Sequence, residues 1–440
     1  TGFRGQRLHP IMKLFMSKIS VNEVESADIL DQLSDPINKT DKKFSTSGEE
    51  DTNLFLKLNE YIIKFKKKSD KILSVIKPTI IFYLKRFTFS GELINLIDLN
   101  SSPYWGKERI DYLKDVKGFI SIPDIFTLTT LRSRRLILRS PIIDLRKSNI
   151  DILITTCPLS VDVKTTHKNS ISILQMIMDF IPLSFSKHPD HPYYFYNRLQ
   201  DSMKSRCGFI SRTSRDKICN LLNRSDKIYQ NSIIYPMPSL NIEVLKAAAN
   251  VKTIRGIDSK FILFNSSIVP RKNLHFLINA FRGSKAITRG FKLCVAGKIH
   301  NDDYGLKIKQ LSSQDSSLIL LDYVEEIEKA WLFLNANAFV SPSCVEGFGI
   351  PVLDAYLLGL NVLASNIPSH REIANILTKN DNLRLLDLTS MNSWISSLNE
   401  IVDENIVCKV AQEDRIRTFN SALISYKISF DSKLAELILI

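Results

Sequence analysis

Residues 341–359 read Ser-Pro-Ser-Cys-Val-Glu-Gly-Phe-Gly-Ile-Pro-Val-Leu-Asp-Ala-Tyr-Leu-Leu-Gly. The stretch puts one carboxylate (Glu346), two glycines (Gly347 and Gly349) and a helix-starting proline (Pro351) into a single turn, with a second carboxylate, Asp354, eight residues after the first. The apolar run 338–341 predicts a buried strand. Pro351 suits the first helical position, where its missing N–H costs nothing, and Gly359 suits the position past the helix end. Gly347 and Gly349 leave open backbone beside that helix N-terminus, where free N–H groups and the helix dipole favour an anion such as phosphate. Glu346 and Asp354 are expected to reach one ligand from the same side. Carboxylates repel phosphate, so hydroxyls are their better partners, and a ligand with both groups is a nucleotide sugar.

A second element suited to phosphate is Pro270-Arg271-Lys272-Asn273. Such a turn alone is more often surface decoration, but here it follows an apolar strand pattern and opens a helical one. A departing diphosphate needs cations of this kind, because charge builds on its bridging oxygen as the sugar bond breaks. Glu346, between strand and glycines, has no local structural duty. Asp354 competes with simple helix-dipole stabilisation, worth about 0.3–1 kcal/mol. Glu372, after Pro368-Ser-His-Arg, is either a third polar contact or a helix-start carboxylate. In the first half, Asp179 ends the apolar run 173–178 and is expected to face a cleft between domains. No histidine has metal-ligand spacing to a second ligand, and no Asp-x-Asp, Walker A, Gly-x-Ser-x-Gly or Gly-x-Gly-x-x-Gly occurs. Metal, NTPase, hydrolase and dehydrogenase readings are thereby weakened, and no metal or cofactor is expected.

The elements that must position these residues are clearest after residue 250. Apolar runs at 261–264, 292–296, 318–321, 339–341 and 362–364 predict strands buried on both faces, each followed by a helical pattern. Leu274, Leu277, Ile278 and Phe281 show the helical period. Such β-α alternation predicts a parallel, doubly wound sheet, with ligands beyond the carboxyl ends of its strands. Both the loop at 266–271 and the turn at 346–351 fall there. Shorter β-rich runs at 79–84, 118–122, 135–138, 152–155, 173–178, 208–211 and 233–235 predict an open α/β domain in the first half. Residues 34–52 read as a mobile polar insertion, and 414–440 as helices on the outside. The expected domains are 1–250, 251–425, and a final helix at 426–440 packing back on the first.

The 440 residues suffice for two domains, and 44% hydrophobic with 24% charged content is globular composition. Six cysteines, at 157, 207, 219, 294, 344 and 408, form no Cys-x-x-Cys pair, which predicts reduced thiols in the cytoplasm. No apolar run is long enough for a membrane span. The chain begins at Thr1 with no secretory pattern, and a first strand is expected to be missing. The net charge of +13 divides unevenly: residues 1–250 hold 38 Lys and Arg against 26 Asp and Glu, the remainder 21 against 20. Lys64, Lys66, Lys67, Lys68 and Lys71, in an expected helix over 54–76, either contact an anionic membrane surface or make a solvated helix face. No nucleic-acid motif accompanies them, so nucleic acid is not an expected partner.

Taken together, these residues resemble the retaining GT-B glycosyltransferases of glycosyltransferase family 4. The resemblance is close over about 261–373. It rests on Val269-Pro-Arg-Lys-Asn-Leu274, Val295-Ala-Gly-Lys298, Asp322-Tyr-Val324, the Ser343–Ala355 stretch, and Ala364-Ser-Asn-Ile-Pro-Ser-His-Arg-Glu372. In the first half it is limited to Met178–Leu183 and Ile210–Asp216. The resemblance implies two Rossmann-like domains facing each other across a cleft, the first taking a glycan or polyprenyl-linked acceptor and the second a nucleotide-sugar donor. It implies that Glu346 contacts the donor sugar, Asp354 the ribose, and Arg271 and Lys272 the diphosphate. Backbone N–H groups of Gly347, Phe348, Gly349 and Ile350 would hold phosphate and sugar. Transfer would retain configuration without a metal, in cell-surface polysaccharide or lipopolysaccharide synthesis at the inner face of the membrane. Three departures stand out: Asp354 replaces a second glutamate, Ser267 stands where many members carry arginine, and Met178 stands where many carry histidine. They keep open the alternative of a weakened nucleotide-sugar-binding or scaffold protein.

Overall fold

The computed structural model describes residues 79–80, 82–84, 87–90, 92–95, 118–122, 125–148, 150–166, 173–184, 191–224, 232–376, 382–403 and 411–439. The expected insertion at 34–52, the basic helix at 54–76 and any first strand lie outside them. The chain divides into two compact units, one of residues 1–177 and 182–207, the other of 178–181 and 208–440.

The first unit holds short strands: β1 (Thr88–Ser90), β2 (Glu92–Asn95), β3 (Gly118–Ser121), β4 (Ile142–Asp144), β5 (Leu153–Thr155), β6 (Asp162–Lys164) and β7 (Ile173–Ile177). β4 pairs in parallel with β1 and β6, β5 pairs in parallel with β7, and β2 and β3 form an antiparallel pair. Helices α1 (Ile125–Ser133) and α2 (Pro192–Ser202) accompany them. Asn197 on α2 donates to the Ser133 carbonyl at 2.8 Å, and Arg135 reaches Asp201 at 3.2 Å. Two expected strands are not strands. Residues 79–80 and 82–84 are helical, with Phe82 buried against Phe89. Residues 135–138 form an irregular turn because Arg135 takes a left-handed φ of 61° and Arg132 holds the carbonyls of Ile137 and Leu138. β8 (Arg206–Phe209) carries the chain into the second unit.

In the second unit, β9 (Phe261–Asn265), β10 (Lys292–Ala296), β11 (Leu318–Asp322), β12 (Ala338–Ser341), β13 (Asn361–Ser365) and β14 (Leu383–Leu386) form one parallel sheet in the order β11-β10-β9-β12-β13-β14. This is the Rossmann-like 3-2-1-4-5-6 order, and its direction reverses between β9 and β12. One face is covered by α5 (Leu274–Gly283), α6 (Asp303–Ser313) and α10 (Met391–Val402), whose Leu277, Phe281, Ile308 and Trp394 join Ile262, Leu293 and Val340 in one hydrophobic core. A second helical layer joins α4 (Ile242–Ala249), α7 (Glu326–Asn335), α8 (Ile350–Leu357) and the 28-residue α11 (Gln412–Leu439). α11 is one continuous helix, tied to the 236–240 segment by Tyr426 donating to the Pro236 carbonyl at 3.1 Å. α3 (Arg212–Leu221) and α9 (Pro368–Ile376) complete the unit. The expected α/β class and doubly wound parallel sheet are present. β14, partly buried at the sheet edge, was not expected, and 233–235 contributes only an isolated bridge from Ile233 to Phe209. Among the described residues, no helix is long and apolar enough to cross a membrane.

Candidate active site

The reversal between β9 and β12 sets the loops that follow the two strands side by side, and charged residues of both loops meet there. After β9, Pro270–Lys272 makes one tight turn that ends at Asn273 with φ 55°. After β12, the Cys344 N–H donates to the Arg271 carbonyl at 2.8 Å, binding the loops together. Arg271 Nη1 lies 3.0 Å from Glu346 Oε2 and 3.3 Å from the Val345 carbonyl. Lys272 Nζ donates to Glu346 Oε1. Lys272 and Glu346 are both buried.

Electrostatics follow from that burial. Loss of water raises the Glu346 carboxyl, but the Lys272 ammonium, the Arg271 guanidinium and hydrogen bonds from Lys272 and Ser343 outweigh it and bring it to about 2. Glu346 is therefore ionised. Burial pulls the Lys272 ammonium below its ordinary value, with Arg271 adding to the pull and Glu346 opposing it. Arg271 and Lys272 thus both hold the one carboxylate of Glu346. Asp179 lies close by: burial raises its carboxyl above the ordinary value, with Arg271, Lys272 and Glu346 all acting on it, and it accepts from the Ile181 N–H at 3.1 Å.

The glycine turn is shaped by its neighbours. A Cβ on Gly347 would meet the Met178 carbonyl at 2.6 Å and Asp179 Cβ at 2.7 Å, so nothing larger than glycine fits. Gly349, at the N-cap of α8, has φ 111° and lies against the His370 ring. The Gly347 carbonyl accepts from Ser211 Oγ at 2.7 Å and Ser214 Oγ at 3.3 Å, while Phe348 packs on Tyr235 with ring centroids 5.6 Å apart. Ile350 begins α8, and Ser267 is partly buried on the β9 loop.

Glu346, Arg271, Lys272, Asp179 and the 347–350 turn thus form one group. Asp354 and Glu372 are engaged elsewhere. Asp354 Oδ1 accepts from the N–H groups of Ser239 (2.7 Å) and Leu240 (3.3 Å), and Oδ2 accepts from Ser239 Oγ. Burial still raises its carboxyl to about 6. Glu372 accepts from the Arg212 N–H at 2.5 Å and the Thr213 N–H at 3.3 Å, closing the N-terminus of α3. Among the described residues no cluster of His, Cys, Asp and Glu could hold a metal ion.

Residues 247–409 match the family model of Glycosyl transferases group 1. All of the sheet and every residue of the group except Asp179 fall within that domain. The chain is 30% identical over 192 residues to O-antigen chain mannosyltransferase B of Escherichia coli, covering 42% of this chain and 50% of that protein. It is 25% identical over 212 residues to the serotype-specific mannosyltransferase WbdA of Escherichia coli, covering 44% and 25% respectively. A third relative, O-antigen chain mannosyltransferase RfbU of Salmonella typhimurium, is 27% identical over 222 residues, 48% of this chain and 58% of that one. The chain spans about half the length, or less, of the first of these relatives. Among solved structures, TarM aligns with a TM-score of 0.47 at 17% identity, covering 74% of this chain and 59% of that one. WaaG, a glycosyltransferase involved in lipopolysaccharide biosynthesis, aligns at 0.46 and 14%, covering 67% and 79%.

Sequence reasoning missed Ser211, Ser214, Ser343 and His370. A Ser-x-x-Ser at a helix start signals an N-cap, and Ser211 does cap α3, but nothing local shows that the hydroxyls also grip the turn at 347. His370 is fully buried, with Nδ1 2.9 Å from the Ser365 carbonyl and, among the described residues, no hydrogen-bond partner on Nε2. Burial lowers it to about 4, so the ring is neutral and Nδ1–H donates.

Proposed function

We propose that the chain is a retaining, metal-independent glycosyltransferase of family 4 with the GT-B arrangement of two Rossmann-like domains. In this reading it moves a sugar from a nucleoside-diphosphate donor to a glycan or polyprenyl-linked acceptor, in O-antigen-like polysaccharide or lipopolysaccharide synthesis at the cytoplasmic face of the membrane. The mannosyltransferase names of its relatives favour mannose as that sugar. The observation that supports it most is the buried Glu346, Lys272 and Arg271 cluster beside the Gly347–Ile350 turn, at the reversal point of the matched domain.

The chemistry follows from donor counts. Lys272 carries three N–H groups and Arg271 five, of which Glu346 uses few, so the remainder can meet the diphosphate. Their fixed charge stabilises the leaving oxygen as the glycosidic bond breaks, which takes the place of a metal. Glu346, kept ionised, accepts from sugar hydroxyls and fixes the donor's pose. Asp179 is close enough to the group to touch the sugar. The departing phosphate assists the acceptor hydroxyl, so the protein supplies no nucleophile.

The test is nucleotide release from a panel of GDP-, UDP- and ADP-sugars with a lipid-linked acceptor, in EDTA, with the anomeric configuration of the product read by NMR. Turnover that Glu346→Ala abolishes supports the reading; undiminished turnover in that variant, dependence on added metal, or inversion would refute it. A second reading, a nucleotide-sugar-binding scaffold, draws on Asp354, whose oxygens are already engaged by Ser239 and Leu240. Donor binding without turnover under any acceptor would select it.

A further inference from the structure

Helix α9 opens on a histidine whose ring is held at one nitrogen and left bare at the other. Pro368 begins the helix and His370 follows on its first turn, fully buried. Nδ1–H donates to the Ser365 carbonyl at 2.9 Å, which leaves a lone pair on Nε2, and among the described residues that atom has no hydrogen-bond partner. A buried polar atom that forgoes its hydrogen bond costs stability, and in native structures such atoms mark a function or a strain held for one.

The bare edge of the ring is set against the glycine turn. A Cβ on Gly349 would lie 3.0 Å from Cδ2 and 3.1 Å from Nε2, with Ile373 Cδ1 at 3.4 Å. Gly349 caps α8 at φ 111°, and glycine has no side chain of its own with which to hold that angle, so the angle is imposed by what packs on it. Nε2 carries no hydrogen in the tautomer that Ser365 selects, and a backbone can approach it more closely than it could a ring C–H. The ring is in turn tied to the loop it steadies: Ser365 Oγ donates to the Ser343 carbonyl at 2.5 Å, and the Ser343 hydroxyl bonds Glu346. Burial keeps the ring neutral, with Glu346 opposing and Lys272 assisting, so both charges lie within its reach. All of these residues belong to the second unit.

We propose that His370 is a positioning residue for a nucleoside diphosphate: with Nδ1–H fixed on Ser365 it braces Gly349, and through Gly349 it aims the backbone N–H groups of the 347–350 turn at the phosphates. The inference rests on the transferase reading above. His370 acts through the glycine and not on the ligand, since the residue is fully buried. The turn holds phosphate before transfer as well as during it, so a loosened turn weakens donor binding more than it slows the chemical step.

The experiment is calorimetric titration of the full chain with GDP, UDP and ADP, then donor kinetics and unfolding midpoints for His370→Asn, His370→Gln, Gly349→Ala and the double variant His370→Asn with Gly349→Ala. Asparagine keeps a donor for the Ser365 carbonyl but lacks the far edge of the ring, whereas glutamine reaches further and places an amide there. His370→Asn should weaken nucleoside diphosphate binding roughly tenfold, raise donor KM by a similar factor and leave kcat within about threefold, and His370→Gln should recover most of the loss. Because the histidine acts through Gly349, the loss in the double variant should fall short of the product of the two single losses. Losses that simply multiply overturn the proposal, as does a His370→Asn variant that unfolds earlier yet binds like wild type, which would assign the ring to packing alone. If His370→Asn does not fold, His370→Gln enters the same cycle with Gly349→Ala, and multiplied losses overturn the proposal there too. A wild-type chain that binds none of the three nucleotides overturns the transferase reading and this inference with it; wild-type binding that His370→Asn retains in full overturns this inference alone.

Discussion

Replacing Glu346 by glutamine removes a negative charge that both Lys272 and Arg271 touch. The carboxyl sits at about 2 against an ordinary 4.5, a difference of about 2.5 units, and at 1.36 kcal/mol per unit the ionised form contributes roughly 3 kcal/mol to folding. The side chain is 8% exposed, so solvent screens little of this. A depressed carboxyl contributes fully above its unfolded value and loses that contribution as pH falls through the folded one. The gap between wild type and Glu346→Gln should therefore be about 3 kcal/mol at pH 7 and shrink between pH 4.5 and 2. Lys272 moderates the loss in the variant, since its ammonium is already pulled down by burial and can shed its proton once the counter-charge is gone. Urea unfolding followed by the fluorescence of Trp331 and Trp394, both buried in the second unit, would measure the gap across pH. A gap near zero at pH 7, or one that stays constant down to pH 2.5, would refute an ionised, buried Glu346.

Ser239→Ala removes the hydroxyl that donates to Asp354, so the Asp354 carboxyl should rise further above about 6. A raised carboxyl is tolerated below its unfolded value and costs stability as pH rises through the folded one. The variant's loss should therefore be about 1.5–3 kcal/mol at pH 8 and much smaller at pH 5; equal losses at the two pH values would refute it. Gly347→Ala drives a methyl into the Met178 carbonyl and Asp179 Cβ. A loss of about 1–3 kcal/mol is expected, with weakened donor binding by calorimetry, and an unperturbed variant would mean that the turn is looser than described. Glu372→Ala should cost about 1–2 kcal/mol by leaving the Arg212 and Thr213 N–H groups of α3 without their carboxylate acceptor, and Glu372→Gln less. A rise in donor KM with unchanged stability in Glu372→Gln would return that carboxylate to the donor site.

The legible part of the molecule was the part whose causes are local. β9 to β13 are continuous apolar runs with helical periods between them, so sheet and strand direction follow from the sequence. The Glu346 turn was readable because glycine, proline and carboxylate each point to one backbone role. β14 was not, because Leu-Arg-Leu-Leu is a half-buried edge strand with a weak pattern. Residues 79–84 are β-branched and aromatic, yet the described ones are helical: Phe82 is buried against Phe89, and tertiary packing decided against propensity. Asp354 and Glu372 illustrate the larger limit. Their partners, Ser239 and Arg212, lie 115 and 160 positions away, and no spacing rule connects residues that far apart.

The serine grip on Gly347 has a consequence for how the site comes into being. The turn closes on Ser211 and Ser214, 136 and 133 positions earlier in the chain, and on Met178 and Asp179, earlier still. Contacts of such long span must offset the entropy of closing a long loop before they stabilise anything. The turn therefore carries a larger loop-closure cost than the contacts within the sheet. A fragment confined to residues 247–409 would hold every strand of the sheet and still lack the clasp that gives its glycine turn a shape.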